Sequence, residues 1–185
     1  MKDQRPQAAG GVRDAGARGL SAPRSGLRVL CCGNPFAGDD AVGLLAVPML
    51  RERLGEAVEV IEAGTPGLTL LDMMRGADHC VIVDCMVGGG QPGEVRKLAP
   101  HDLASLEASF SSAHGVGIAE ALALGTAVEP ESLPKRITIV AVEAGSVTPF
   151  TEGLSDPVRQ ALPRLVQAVV DAVTADRPGT DGQAE

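Results

Sequence analysis

The sequence predicts an α/β fold: three αβα layers built on a twisted, mostly parallel sheet of about five strands. Three observations support this. Short, continuously apolar runs alternate with helix-period segments, the pattern of strands buried on both faces of a parallel sheet. One run, "EVRKL" at 94–98, instead alternates and carries charge, which suits an edge strand free to run antiparallel. No internal repeat interrupts the series.

In chain order, "LRVLCC" (27–32) is a short buried strand. After Asp40, the residues Val42, Leu45, Ala46, Met49 and Leu54 fall near one face of a helix, with Pro48 placed to kink it. "AVEVIEA" (57–63) is a second strand and "GLTLLDMMRG" (67–76) a short helix. "HCVIVDCMV" (79–87) is a central strand, apolar on both faces until Asp84. "HGVGIAEALALG" (114–125) is helical and "RITIVAV" (136–142) a further buried strand. The last helix follows Ser155 as N-cap, and Val158, Leu162, Leu165, Val166, Val169 and Val173 keep a 3.6 period despite Pro163. Residues 1–26, rich in Gly, Ala, Arg and Pro without any period, are expected to be a disordered leader. The tail 175–185 reads the same way, leaving 27–174 as a single domain.

A chain of 185 residues with 44% hydrophobic and 22% charged residues has the composition of a soluble globular domain. No apolar run reaches the roughly 20 residues of a membrane span, and no apolar signal segment opens the chain, so a cytoplasmic location is expected. Cys31, Cys32, Cys80 and Cys85 lie in or beside strand-like runs and form no CxxC pair, which favours buried reduced thiols over a disulfide or zinc site. A net charge of -8 and the lack of Trp and Tyr argue against nucleic-acid binding.

Open sheets of this class bind ligands at the carboxyl ends of their strands. Asp39 and Asp40 follow the first strand, Glu62 closes the second, Asp84 the third and Glu143 the last. Asp39 and Asp40 also suit a helix start as capping residues, and Glu62 and Glu143 a solvated rim. Asp84 follows "CVIV" with no polar neighbour on that side to mark an exposed face. Of the histidines, His79 reads as a surface residue and His101 as part of a helix-start loop, while His114 in "SSAHGVG" lies between a polar loop and a helix. A lone loop histidine is more often solvent-facing than a ligand. Two carboxylates and an imidazole from three loops would nonetheless make a metal site with open positions. The first loop, "GNPFAGDD", lacks G-x-G-x-x-G and a P-loop lysine, and its aspartates would repel a phosphate; a nucleotide site is rejected.

Taken together, "GNPFAGDDAVG" (33–43), "EAGTPGLTLLD" (62–72), "CVIVDC" (80–85) and "SAHGVGIAEAL" (112–122) resemble the hydrogenase maturation proteases over about Leu27 to Val173. That resemblance implies a phosphorylase/hydrolase-like fold and an endopeptidase activity. The substrate would be the nickel-loaded precursor of a nickel–iron hydrogenase large subunit, from which a C-terminal peptide is removed. Matched motif by motif, it implies that nickel, supplied by the substrate, is contacted by Asp40, Asp84 and His114, the same three residues expected to be catalytic. Asp39 then becomes a helper or cap. The sequence departs from the family at Asp40, where some members carry Glu, and at Ala41, where many carry Gly.

No covalent route is evident: Ser111, Ser112 and Thr65 lack a paired base, and strand-embedded cysteines are poor nucleophiles. Metal-gated hydrolysis is the expected mechanism, the metal polarising the carbonyl or activating water, or an ionised Asp taking the water's proton. Asp39, Gly64, Thr65 and Gly67 are expected to line the substrate groove, bordered by "EAGTPG" (62–67) and "SVTPF" (146–150), although turn chemistry explains the glycines equally well. The resemblance favours a monomer. Two other readings stay open: a nickel checkpoint or chaperone that grips the large subunit through the same three residues without cutting it, and a pseudo-enzyme on this scaffold that hydrolyses an unrelated small molecule.

Overall fold

A computed structural model describes residues 26–103 and 117–175. The leader, apart from Gly26, the tail beyond Ala175, Ser111, Ser112, His114 and the first residues of the helix expected from 114 therefore lie outside the described residues.

Five strands form one sheet: β1 Leu27–Cys32, β2 Glu59–Gly64, β3 His79–Met86, β4 Val95–Leu98 and β5 Arg136–Glu143, in the order β2-β1-β3-β5-β4. The β1–β2, β1–β3 and β3–β5 pairs are parallel, and β4 pairs antiparallel with β5, placing Leu98 opposite Ile139. The charged run at 94–98 is thus the antiparallel edge, as its alternation predicts. The helices are α1 Val42–Leu54, α2 Thr69–Met74, α3 Pro100–Leu103, α4 Ile118–Val128 and α5 Asp156–Thr174.

Period-2 alternation sorts each strand between two cores. Val29, Cys31, Val81, Val83, Val140 and Val142 face α1 and α5, meeting Val42, Ala46 and Leu50 from one helix and Val158, Leu165 and Val169 from the other. Leu30, Ile82, Met86 and Ile139 face the opposite way, against Leu70 and Met74 of α2 and Ile118 and Leu122 of α4. A completely buried Leu or Ile contributes about 1.5–3 kcal/mol, so burying apolar side chains on both faces holds the sheet between its helices.

Three local readings need correction. His79 is buried, 3% exposed, with Nε2 3.1 Å from Thr138 Oγ1; strand pairing with β5 carries it inside. Ser155 does hold the N-cap position of α5, but its hydroxyl donates to Asp39 rather than accepting from its own helix. Glu143 is 2% exposed, not part of a solvated rim. Glu62 is exposed as expected and pairs with Arg51 at 2.9 Å.

Candidate active site at the carboxyl edge of the sheet

From β1 the chain moves outward to β2, then returns past β1 to β3. Consecutive crossovers therefore leave β1 on opposite sides, and the crevice between the carboxyl ends of β1 and β3 is the switch point at which this fold class binds ligands. Asp40 reaches it from the loop after β1, and Asp84 from β3 itself.

The loop is shaped by close backbone approach. A side chain on Gly43, in the first turn of α1, would put its Cβ 2.1 Å from the Cys32 carbonyl oxygen and 2.7 Å from that of Val83. Only glycine lets the helix start rest directly on the ends of β1 and β3. Gly33, at φ +135°, similarly leaves no room for a Cβ against the Asp40 carbonyl. Asn34 N–H donates to that carbonyl at 3.2 Å, closing the loop so that Asp40 is presented inward at 5% exposure.

One carboxylate oxygen each of Asp40 and Asp84 and the thiol of Cys85 lie within 4.8 Å of one another. The Cys85 thiol donates to Asp40 Oδ1 at 3.3 Å, and the Cys85 N–H to Asp84 Oδ1 at 2.8 Å. Asp84 is the partly exposed member, while Asp40 and Cys85 are buried. Burial, and then repulsion by the Asp40 carboxylate, push Asp84 up to about 8, against the opposing pull of the Cys85 N–H. Such a pair favours a shared proton or a cation between its members. Burial followed by the two aspartates drives the Cys85 thiol strongly upward; Cys31 and Cys80 rise to about 12 and Cys32 rises too, all chiefly through burial. All four cysteines are free and buried, and such thiols make poor nucleophiles.

Cys85 is the member that the sequence reading missed. Its place directly after Asp84 was the available signal, but alternation puts successive strand side chains on opposite faces. Only at the strand end, with α1 lying across it, do both neighbours contribute to one crevice. His114, the expected third ligand, lies outside the described residues.

Asp39 requires a correction as a groove residue. It is completely buried, and its Oδ2 accepts hydrogen bonds from the N–H groups of Gly145 and Ser146 at 2.8 and 2.9 Å and from the Ser155 hydroxyl at 2.8 Å. Its Oδ1 accepts from the Ser155 N–H at 2.6 Å. The carboxylate is thus consumed in tying the start of α5 and the loop after β5 to the Asp40 loop. Gly64, Thr65 and Gly67 do lie at the carboxyl edge, where the Gly64 carbonyl accepts from Gly33 N–H at 2.8 Å and Thr65 is exposed. Across the loop, Thr151 N–H donates to the Phe36 carbonyl at 3.1 Å, bringing together two segments that carry the exposed Phe36 and Phe150.

Among the described residues no helix is long and apolar enough to cross a membrane. The family model described as hydrogenase maturation protease matches residues 46–172. The hydrogenase 2 maturation protease of Escherichia coli (strain K12) is 33% identical over 156 residues, covering 78% of this chain and 93% of that protein. The hydrogenase expression/formation protein HoxM of Azotobacter vinelandii is 25% identical over 173 residues, covering 90% and 81%. Among solved structures, the hydrogenase maturating endopeptidase HybD from E. coli superposes with a TM-score of 0.65 at 25% identity, over 80% of this chain and 92% of that one. A solution structure of an endopeptidase from E. coli gives 0.67 at 27% identity, over 80% and 93%. Alike in sequence along most of its length and alike in fold, this chain belongs to the hydrogenase maturation protease family and is an endopeptidase.

Proposed function

We propose that this endopeptidase removes a C-terminal peptide from the large-subunit precursor of a nickel–iron hydrogenase, and that nickel already carried by the substrate is gripped by Asp40, Asp84 and His114. The observation that supports this reading is the meeting of Asp40 and Asp84 at the switch point, within 4.8 Å of each other and of Cys85. Two carboxylates so placed are best satisfied by a cation, and nickel accepts carboxylate and imidazole ligands readily. Cys85, through its bond to Asp40, orients that side chain.

Docking of the metal-bearing precursor would bring the scissile peptide against the crevice, with the 62–67 loop and the segments carrying Phe36 and Phe150 along its border. Water then adds to the scissile carbonyl, an ionised aspartate accepts its proton, and the proton passes to the departing amine as the C–N bond breaks. No acyl-enzyme forms. A precursor without nickel leaves the two carboxylates without their cation and stays uncut, so processing waits for metal insertion. The protein acts in this reading as a cytoplasmic monomer.

Intact mass of the large-subunit precursor, incubated with the enzyme before and after nickel loading, tests this directly. Loss of one fixed C-terminal peptide from the loaded form alone is expected, and Asp40→Asn should abolish it. Wild-type trimming by Asp40→Asn would overturn the assignment. An unchanged mass with a stable complex would instead indicate a checkpoint that binds without cutting.

A further inference from the structure

Glu143 ends β5 beside the crevice. In the parallel β3–β5 register Asp84 pairs with Ala141 and Met86 with Glu143, so Glu143 shares a sheet face with Asp84, one pair further toward the carboxyl edge. Its Oε1 accepts the Gly88 N–H at 2.8 Å. Its Oε2 is buried and has no hydrogen-bond partner among the described residues, although Glu143 is only 2% exposed. A buried acceptor left without a donor bears its full desolvation cost.

A second carboxylate faces the same space. A Cβ built on Gly90 would stand 3.2 Å from Glu143 Oε2 and 3.1 Å from Glu94 Oε2. The turn that covers Glu143 consists of Gly88, Gly89 and Gly90, all exposed and without side chains, so one thickness of backbone separates Glu143 from solvent. Arg164 donates to the Gly93 carbonyl, beyond this turn, at 3.3 Å.

From this we infer that Glu143 and Glu94 form a cradle for a basic side chain, Arg or Lys, of the polypeptide being processed. Resting on the protease reading above, it makes Glu143 a specificity residue beside the crevice. Two carboxylates without a third protein ligand leave most of a metal ion's coordination sphere to water, whereas a guanidinium or ammonium brings several N–H donors on one group and needs only acceptors. As the cation enters, the glycine turn lifts and Oε2 gains the donor it lacks.

Two experiments decide the point. In the full chain, L-argininamide is titrated while the backbone amides of Gly88, Gly89, Gly90, Gln91 and Gly93 are followed by NMR. Saturable shifts are expected in the wild type and not in Glu143→Gln, which keeps an acceptor for Gly88 N–H. Equal shifts in both proteins, or none in either, would overturn the cradle. With nickel-loaded precursor, Glu143→Gln and the exposed-site variant Glu94→Gln should each raise KM about tenfold with kcat held, and Gly90→Val should do the same by filling the space. Unchanged KM in both carboxamide variants, or a fall in kcat alone, would refute the cradle while leaving the protease reading intact. If wild type does not cut the precursor, the protease reading fails instead, and the argininamide titration still decides whether a cation binds here.

Discussion

The two ends of the sheet bury polar groups in opposite ways. At the amino end, Arg28 on β1 is 6% exposed yet fully engaged: its Nε meets Glu59 at 2.9 Å, and its Nη1 donates to the carbonyls of Met73 and Arg75. His79 beside it is bonded to Thr138. At the carboxyl end, Asp40, Asp84 and Glu143 are all acceptors; the first two repel each other, and one oxygen of the third has no partner among the described residues. Pairing of opposite groups holds a fold together. A crowd of like groups costs stability and persists where something else is meant to bind. The amino end is structural, and the carboxyl end gathers the acceptors that the proposed grip on a cationic substrate would use.

The largest test of this contrast is Asp84→Asn. If Asp84 grips nickel as proposed, its loss should cost more than the roughly 10–100-fold that follows loss of a group supporting a metal ligand, so precursor trimming should slow at least about a hundredfold. The melting temperature near neutral pH should rise, because Asn removes an acid whose ionisation the folded site opposes through desolvation and the neighbouring Asp40. Parallel loss of activity and stability would make Asp84 merely structural. At the opposite end, Arg28→Leu should cost about 3 kcal/mol in urea unfolding, while the trimming rate per folded molecule stays unchanged. A selective loss of rate would mean that the amino end is not purely structural.

The pH dependence of stability separates the ends more finely. His79 is lowered to about 4, chiefly by burial with help from Arg136 and Lys97. Below its unfolded value of about 6.5 the unfolded chain takes up the proton first. Its contribution is therefore intact above about 6.5 and lost as pH falls toward 4. Asp84, raised to about 8, has the opposite sign: the unfolded chain releases the proton first, so stability declines as pH rises from about 4 to 8. Between about 4 and 6.5 the two slopes oppose each other, so urea midpoints should already decline from about pH 4 in His79→Gln, and the decline between about 6.5 and 8 should vanish in Asp84→Asn. Superimposable curves for wild type and either variant would refute the corresponding assignment. The smallest effect is expected from Glu62→Gln: its pair with Arg51 lies on the exposed surface, each side chain more than half exposed, and such pairs contribute under about 1 kcal/mol. A larger shift in melting temperature would give that rim a role.

Local pattern identifies the strands, the edge strand and four of the five described helices, because periods of 2 and 3.6 are properties of neighbouring residues; the four-residue α3 is too short to show a period. The apolar run that ends in Asp84 and the glycines around Asp39 and Asp40 likewise marked the carboxyl edge. What the neighbours could not show was the use made of each polar group. Asp39 and Asp40 are adjacent and chemically identical, yet one is saturated by donors from positions 145, 146 and 155 while the other faces Cys85. His79 and Glu143 read as surface residues until pairing in the sheet enclosed them.

The sequence by itself determined the fold class, the order of its elements and the motifs that resemble the family, since each depends on spacing along the chain. Only the tertiary structure decided which carboxylate is consumed in tying the fold together and which ones meet at the carboxyl edge of the sheet. Hydrogen-bond donors for a buried acid come from residues distant in sequence, and burial and repulsion act through space.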